Sequence, residues 1–178
     1  ETNNIYSLLL AQSWVADDGF ICLNADVLCH PGIIRPASQI RTDISMVIDP
    51  AWRDETMKVI IKAGRIIRMS KAITRSEFSG TYLGVTTFSG RVVKLLFEEI
   101  EKLVLEGRVN EFFNVAVQQM ISYGIQVDHT LTAGLPWAEI DDPADFHFAE
   151  ACVYPLLPAS TAMPAQGPAF NTPNHVAA

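Results

Sequence analysis

The spacing of hydrophobic and polar positions changes several times along the chain, and each change predicts the next helix or strand. Residues 5–15 repeat apolar side chains at helical spacing, and Asn3 or Asn4 precedes them as the helix cap. Residues 20–23 are all apolar, which predicts a strand covered on both faces, and residues 44–49 predict a second buried strand. The N-terminal part of the chain therefore combines a helix with buried strands.

The central part of the chain is rich in β-forming residues. Residues 33–40 predict a short helix. Residues 57–62 and 65–69 alternate in polarity and are joined by a tight turn, which predicts a β-hairpin. Residues 81–88 predict a further strand, and Gly84 within it predicts the close approach of another backbone segment.

Helices and strands continue to alternate toward the C-terminus. Residues 92–105 and 111–123 have the amphipathic pattern of helices, and a glycine follows each of them. Short apolar runs predict strands at 125–127 and 137–140, and Pro143 begins a last helix that reaches residue 153. Strands interleaved with helices, together with the hairpin, predict an α/β fold with a mostly parallel mixed sheet and a β-hairpin insertion.

The length and composition of the chain indicate one domain followed by a tail. With 178 residues, 49% of them hydrophobic, the chain can bury one good core, which we assign to residues 1–153. Residues 154–178 scatter proline among alanine, serine, threonine and glycine, with few large apolar side chains. Such a segment buries too little surface to offset its ordering entropy, so we predict a disordered tail or linker.

Charge and cysteine content narrow the classes of function. The chain has 13 Lys and Arg against 20 Asp and Glu, a net charge of -7, and no basic stripe, which disfavours a nucleic-acid polymer as partner. A small phosphorylated ligand that brings its own magnesium remains compatible with this charge. Three cysteines without C-x-x-C spacing indicate a reducing compartment, and the apolar runs are far shorter than a membrane span. We expect a cytoplasmic protein with no membrane partner.

Two acidic turns are the candidate chemistry of this chain. Asp26 follows the strand at 20–23, and Glu139, Asp141 and Asp142 precede the last predicted helix. Carboxylates at such sheet edges are suited to holding a divalent cation on a phosphorylated ligand. Taken singly, each aspartate fits equally well as a strand terminator or a helix cap, and Asp142 is the better cap.

Four blocks of sequence, in this order, carry a resemblance to a known family: NADVL at 24–28, VIDPAWRDETMKV at 47–59, GTYLGV at 80–85 and LPWAEIDDPAD at 135–145. Over residues 1–153 the chain resembles the nucleotidyltransferases that activate small phosphorylated alcohols, sugars or phosphonates. Within them it is most similar to the cytidylyltransferases for phosphocholine and phosphonates, including those linked to phosphoenolpyruvate mutase. The resemblance implies a Rossmann-like fold.

The resemblance also implies a reaction and a set of site residues. A phosphate or phosphonate oxygen of the acceptor attacks the α-phosphorus of a nucleoside triphosphate, with CTP favoured, and pyrophosphate leaves. Asp26 matches the first metal-binding aspartate of the family and Asp141 the second, with Mg²⁺ as the cofactor. Lys58 occupies the Met-Lys-Val position of a phosphate-stabilising cation, although it fits equally well as a polar hairpin residue.

Three further residues of the matching blocks are assigned to substrate binding: Trp52, Tyr82 and Glu139. Trp52 and Trp137 have the aromatic faces that could enclose a quaternary ammonium such as choline, although core packing is the more common role of such tryptophans.

The sequence departs from the family at its N-terminus. The glycine-rich turn with an arginine and a downstream Pro-Lys, which holds the triphosphate in the family, does not precede the helix at 5–15. The chain therefore resembles an N-terminally truncated copy. Two alternatives remain open: a sugar-1-phosphate nucleotidyltransferase using UTP, dTTP or GTP, and a non-catalytic relic or assembly module. A homodimer or a fusion to another enzyme domain fits any of these.

Overall fold

The computed structural model describes residues 2–15, 18–39 and 42–158 of the chain. The described residues form a six-stranded mixed sheet with helices on both faces, and a separate two-stranded ladder. No helix among them is long and apolar enough to cross a membrane. The elements are α1 (Asn4–Leu10), β1 (Gly19–Leu23), β2 (Val27–Cys29), α2 (Pro31–Ala37), β3 (Ile44–Asp49), β4 (Lys58–Lys62), β5 (Arg65–Ser70), β6 (Gly80–Ser89), α3 (Gly90–Leu105), α4 (Asn114–Ser122), β7 (Val127–Leu131), β8 (Trp137–Glu139) and α5 (Pro143–Phe148).

The large sheet has the strand order β1-β6-β3-β7-β5-β4, with a further contact of β4 with the start of β6. Strands β1, β3, β4 and β7 run in one direction, and β5 and β6 run in the opposite one. The predicted α/β class with a mixed sheet and a hairpin insertion is therefore confirmed. Because β6 lies between β1 and β3, antiparallel pairing is more extensive than the alternation of elements predicted, and β3 with β7 is the parallel pair.

The hydrophobic core lies on both faces of the sheet, because alternate side chains of β3 point to opposite faces. Ile44, Met46 and Ile48 point to the face that α1, α3 and α4 cover. Val47 points to the opposite face, where α2 and Trp137 pack. Helix α3 lies on the larger core because its apolar side chains recur at helical spacing, from Val92 to Leu103.

Several predicted elements are confirmed, and others have different ends. The β-hairpin, strand β3 and the helix at 92–105 lie where the sequence placed them. The first helix was predicted too long: α1 ends at Leu10 and continues as a 3-10 turn, Gln12–Trp14, that leaves Trp14 exposed. The last helix also differs, because α5 gives way to a π-helical turn at Ala149–Val153.

The prediction that the first strand is covered on both faces is wrong. Strand β1 is at the end of the strand order and its residues are half-buried or exposed. Strand β7 begins at Val127 rather than residue 125, because the Ile125 amide donates to the Met120 carbonyl (3.0 Å) and closes α4. Strand β2 was not predicted, since three residues give no readable period. The predicted tail lies mostly outside the described residues, whose last element is the 3-10 turn Tyr154–Leu156.

Candidate metal and substrate site

The two-stranded ladder brings the two acidic turns together. Strands β2 and β8 pair antiparallel with Val27 opposite Glu139, and the Ile140 amide donates to the Asp26 carbonyl (2.9 Å). Each of Asp26, Glu139 and Asp141 then offers a carboxylate oxygen, and these oxygens all lie within 4.8 Å of one another. Acids that are more than a hundred residues apart in sequence therefore share one small volume.

The Asp26 turn is held against β6 by a glycine. The Asn24 amide donates to the Gly84 carbonyl (2.8 Å), and Gly84 has a φ of +89°. A Cβ atom at Gly84 would lie 3.0 Å from the Asn24 Cβ and 3.0 Å from a Val27 methyl group. Only glycine fits this conformation and this spacing without displacing the turn, so the close approach predicted at Gly84 is confirmed.

The second acidic turn is fixed by a capping box at the start of α5. The Asp142 carboxylate accepts hydrogen bonds from the amides of Ala144 (2.7 Å) and Asp145 (3.0 Å). The Asp145 carboxylate accepts in return from the amides of Asp142 (3.3 Å) and Asp141 (3.1 Å). This confirms Asp142 as the helix cap, and it holds the Asp141 backbone while leaving the Asp141 carboxylate for the cluster.

The three carboxylates fit a hard divalent cation. Burial raises the pKa of Glu139, and the nearby charges of Asp141 and Asp26 raise it further, while Lys71 and Arg53 oppose the shift. The rise persists although Lys71 and Arg53 oppose it, so these two cations do not fully compensate the clustered negative charge. Carboxylate oxygens at two exposed positions and one half-buried position suit Mg²⁺, which prefers oxygen ligands and retains several waters.

We expect Glu139→Gln to stabilise the metal-free chain at neutral pH. Because the folded state raises the pKa of Glu139, the stability linked to its proton is full below the unfolded pKa and is lost as pH rises through the folded pKa. Glutamine removes this loss. Thermal denaturation across pH should show the variant above wild type at neutral pH and equal to it in acid; equal melting temperatures at every pH would contradict the shift.

A cavity of about 550 Å³ opens beside the acidic cluster. Asp26, Glu139 and Asp141 form one part of its wall, and the side chain of Lys71 also lines it. The Lys71 ammonium lies 5.1 Å from the centroid of the Phe112 ring, which also lines the cavity. Other lining residues come from α1, from the start of α4 and from the segment before β4: Asn3, Asn4, Ser7, Leu8, Glu55, Thr56, Met57, Phe113 and Asn114.

Glu55 is conformationally strained at the edge of this cavity. Its φ is +59°, a left-handed value that costs a non-glycine residue about 1 kcal/mol or more. Within the part of the chain that the structure describes, no hydrogen bond or ion pair uses the Glu55 carboxylate. An exposed, strained and unpaired acid beside a cavity is a candidate ligand-binding residue.

Replacing Glu55 with glycine should relieve this strain. We expect Glu55→Gly to raise the free energy of unfolding by roughly 0.5–1 kcal/mol, after the larger unfolded-state entropy of glycine is subtracted. Ala63→Gly, at a φ of +48° in the hairpin turn, is the matched control and should give a similar gain. Urea denaturation measures both. A loss of stability in Glu55→Gly alone would show that the glutamate side chain has a stabilising contact.

The structure separates the residues that the sequence assigned to the site. Glu139 joins Asp26 and Asp141, and Tyr82 lies in the cavity wall, where burial raises the pKa of its hydroxyl, which bonds Thr86 (2.7 Å). Lys58 and Trp52 do not line the cavity.

Lys58 and Trp52 instead contact each other. Lys58 is buried, donates from Nζ to the Thr56 carbonyl (3.0 Å), and lies 4.7 Å from the Trp52 ring centroid. Arg75 lies 4.8 Å from the same centroid. Trp137 is a buried core residue under the guanidinium of Arg53, 4.0 Å from its centroid. The roles predicted for Lys58 and Trp52 stay predictions, and Lys71 is the lysine that lines the cavity beside the cluster.

Sequence reasoning missed Lys71, Glu55 and Phe112. Lys71 directly follows β5 and lies outside the four matching blocks, and Phe112 lies in the segment 111–123, which the sequence predicts to be a helix. Glu55 lay inside a matched block, but no sequence pattern reveals a positive φ at a glutamate. These three residues lie near the ends of helices or strands, and the tertiary structure brings them to the cavity.

Three of the solved structures that the chain resembles are described as nucleotidyltransferases. The inositol-1-phosphate CTP transferase of T. maritima superposes with a TM-score of 0.68 at 23% identity, over 82% of this chain and 58% of that one. A protein described as a glucose-1-phosphate thymidylyltransferase of Bacillus anthracis gives 0.68 at 13% identity, over 84% and 60%. The CTP:phosphocholine cytidylyltransferase of Streptococcus pneumoniae gives 0.62 at 19% identity, over 84% and 63%.

These similarities establish the fold. The chain has the α/β fold of these nucleotidyltransferases, and it spans about three fifths of the length of the three chains, 58–63%. No protein-family model matches the sequence, and no curated protein matches it.

Proposed function

We propose that this chain belongs to a nucleotidyltransferase that transfers a cytidylyl group from CTP to a small phosphorylated or phosphonate acceptor and releases pyrophosphate. The observation that carries the proposal is the convergence of Asp26, Glu139 and Asp141 beside a cavity with a lysine in its wall. Two of the similar structures are described as CTP-dependent, which favours CTP. The phosphocholine and phosphonate acceptors implied by the sequence resemblance belong to the same proposal.

The reaction requires little covalent work from the protein. An oxygen of the acceptor phosphate or phosphonate forms a bond to the α-phosphorus of CTP, while the bond to the bridging oxygen breaks and pyrophosphate leaves. Asp26, Glu139 and Asp141 would hold Mg²⁺, which when bound neutralises phosphate charge and lowers the repulsion between the two anionic reactants. The protein contributes orientation, because the β2–β8 ladder fixes the three carboxylates relative to one another.

The charges of the cavity wall indicate where the acceptor lies. We assign Lys71 to the acceptor phosphate, because it lines the same cavity as the acidic cluster and is exposed. Glu55 lines the same cavity and has no partner in the described chain. A zwitterionic acceptor, with a phosphate or phosphonate at one end and an ammonium group at the other, would satisfy both side chains, with Phe112 adding an aromatic face.

The alternative acceptor is a sugar 1-phosphate, with UTP, dTTP or GTP as the donor. The structure described as a glucose-1-phosphate thymidylyltransferase supports this alternative. Asn3, Asn4, Ser7 and Asn114 line the cavity and could donate to sugar hydroxyls. A sugar phosphate would leave Glu55 unpaired, so we place it second. The third hypothesis is a non-catalytic relic or assembly module, which would retain the acidic cluster but would not catalyse nucleotidyl transfer.

A pyrophosphate-release assay tests the proposal. The full-length polypeptide is incubated with Mg²⁺, each of CTP, UTP, dTTP and GTP, and a panel of acceptors that includes phosphocholine, an aminoalkylphosphonate and sugar 1-phosphates. We expect release with CTP and a zwitterionic acceptor. Release only with sugar 1-phosphates would select the alternative, and no release with any pair would contradict an enzymatic function.

A further inference from the structure

A hydrogen-bond network centred on Asp49 reaches the first residue of β8, the strand that carries Glu139 of the acidic cluster. The Asp49 carboxylate, at the end of β3, accepts from the indole N–H of Trp137 (2.7 Å) and from the hydroxyl of Thr132 (3.0 Å) on Oδ2. Its other oxygen accepts from the amide of Ala51 (2.7 Å). The two donors that are distant in sequence are almost completely buried: Trp137 is 4% exposed and Thr132 is 1% exposed. A carboxylate with three donors at these distances holds all of them in fixed positions.

The network contacts both ends of the turn that leads into β8. Thr132 follows β7, and its amide also donates to the Ile48 carbonyl (3.1 Å). Trp137 is the first residue of β8. Between them Ala133 and Gly134 have φ values of +53° and +76°, so the turn is tight. Asp49 therefore joins the end of β3 to the entry and the exit of this turn.

The direction of β8 follows from the orientation of Trp137. Side chains two residues apart on a strand point to the same face, so the Trp137 indole and the Glu139 carboxylate share a face of β8. Arg53 lies on the Trp137 ring and is close enough to Glu139 to oppose the rise of its pKa. A rotation of Trp137 would displace Glu139, Arg53 and the following Asp141 together.

We infer that Asp49 is a positioning residue: its carboxylate clamps the β7–β8 turn and the Trp137 indole, and thereby fixes where β8 presents Glu139 and Asp141 to a cation. The clamp itself is a property of the fold, whereas its effect on cation binding rests on the proposed function. Removal of a residue that orients metal ligands without touching the metal commonly changes metal affinity by about 10- to 100-fold.

Two variants isolate the clamp from general destabilisation. Asp49→Asn keeps the size of the side chain and replaces one acceptor oxygen by an NH2 group, which meets a donor in either orientation of the amide. Trp137→Phe keeps an aromatic ring in the core and under Arg53, and removes the indole N–H together with the second ring. Asp43→Asn is the matched control, because Asp43 lies just before β3 at its other end and bonds Arg91 (2.9 Å).

Hydrogen exchange of the metal-free chain tests the clamp directly. The amides of Ile140 and His30, which bond the carbonyls of Asp26 (2.9 Å) and Pro136 (2.9 Å), report on the two ends of the β2–β8 ladder. We expect Asp49→Asn and Trp137→Phe to exchange these amides at least about tenfold faster, with no change in the amides of α3. Unchanged exchange in Trp137→Phe would overturn the inference even if Asp49→Asn failed to fold.

Mn²⁺ binding, followed by electron paramagnetic resonance, tests the effect on the cluster. We expect the Mn²⁺ dissociation constant to rise about tenfold in Asp49→Asn and in Trp137→Phe, and by about the same factor in the double variant because both act through one bond. Asp43→Asn should bind as wild type. Equal affinities in all variants would overturn the link to the cluster, whereas absence of Mn²⁺ binding in wild type would refute the proposed metal site and leave the exchange result to judge the clamp.

Discussion

We expect Asp26→Ala and Asp141→Ala each to lower nucleotidyl transfer by about 100- to 10,000-fold while the fold is retained. Both carboxylates are exposed and have no hydrogen-bond partner among the described residues, so their removal costs the fold little. Each substitution removes one ligand from the three-carboxylate cluster that is proposed to hold the charge-neutralising metal. Stabilisation of the transition state by such a metal is worth several kcal/mol. The pyrophosphate-release rate and circular dichroism measure the two parts of the prediction.

Asp142→Ala is the matched control for this experiment. Asp142 is adjacent to Asp141 and is the same residue type, but its carboxylate caps α5. We expect it to lose about 1 kcal/mol of stability and to keep most of its activity. If Asp141→Ala retained full turnover, or if Asp142→Ala alone lost it, the assignment of the acids would be incorrect.

The second large effect should come from the lysine of the cavity. We expect Lys71→Met to lower kcat/KM for the acceptor on the order of 100-fold, because its exposed ammonium lines the cavity beside the acidic cluster, where the acceptor phosphate is proposed to lie. Stability should change by no more than about 0.5 kcal/mol, since Lys71 is exposed. Steady-state kinetics with varied acceptor, at saturating CTP, gives the value.

Lys58→Met distinguishes the two lysines. Lys58 is buried, and its Nζ bonds the Thr56 carbonyl and contacts Trp52. Loss of these contacts should cost roughly 1–2 kcal/mol of stability and leave kcat/KM within about threefold of wild type. The opposite pattern, with activity lost in Lys58→Met and retained in Lys71→Met, would restore the role that the sequence resemblance implies for Lys58.

Much of the architecture was readable from the sequence because local patterns determine it. The alternation at 57–69 and the apolar run at 44–49 gave the hairpin and β3. The acidic turns were found because aspartates follow or precede short apolar runs. Strand β2 has only three residues, and its formation depends on pairing with β8. Which strand lies at the edge of the sheet also depends on long-range pairing, which a local sequence pattern does not contain.

The site was predictable only in part for the same reason. Asp26, Glu139 and Asp141 were named from their blocks, and the ladder that unites them is a long-range feature. Lys58 begins β4 and Lys71 directly follows β5, and sequence position at the ends of a hairpin does not distinguish a buried lysine from an exposed one. The Asp49–Trp137 bond joins residues 88 positions apart and has no local signature.

Mn²⁺ titration of the metal-free protein tests the central claim most directly. If Asp26, Glu139 and Asp141 form a cation site, electron paramagnetic resonance should detect bound Mn²⁺ that Mg²⁺ displaces, and Asp26→Asn or Asp141→Asn should weaken binding at least about tenfold. Wild-type protein that binds no Mn²⁺, or variants that bind it as tightly as wild type, would contradict the claim.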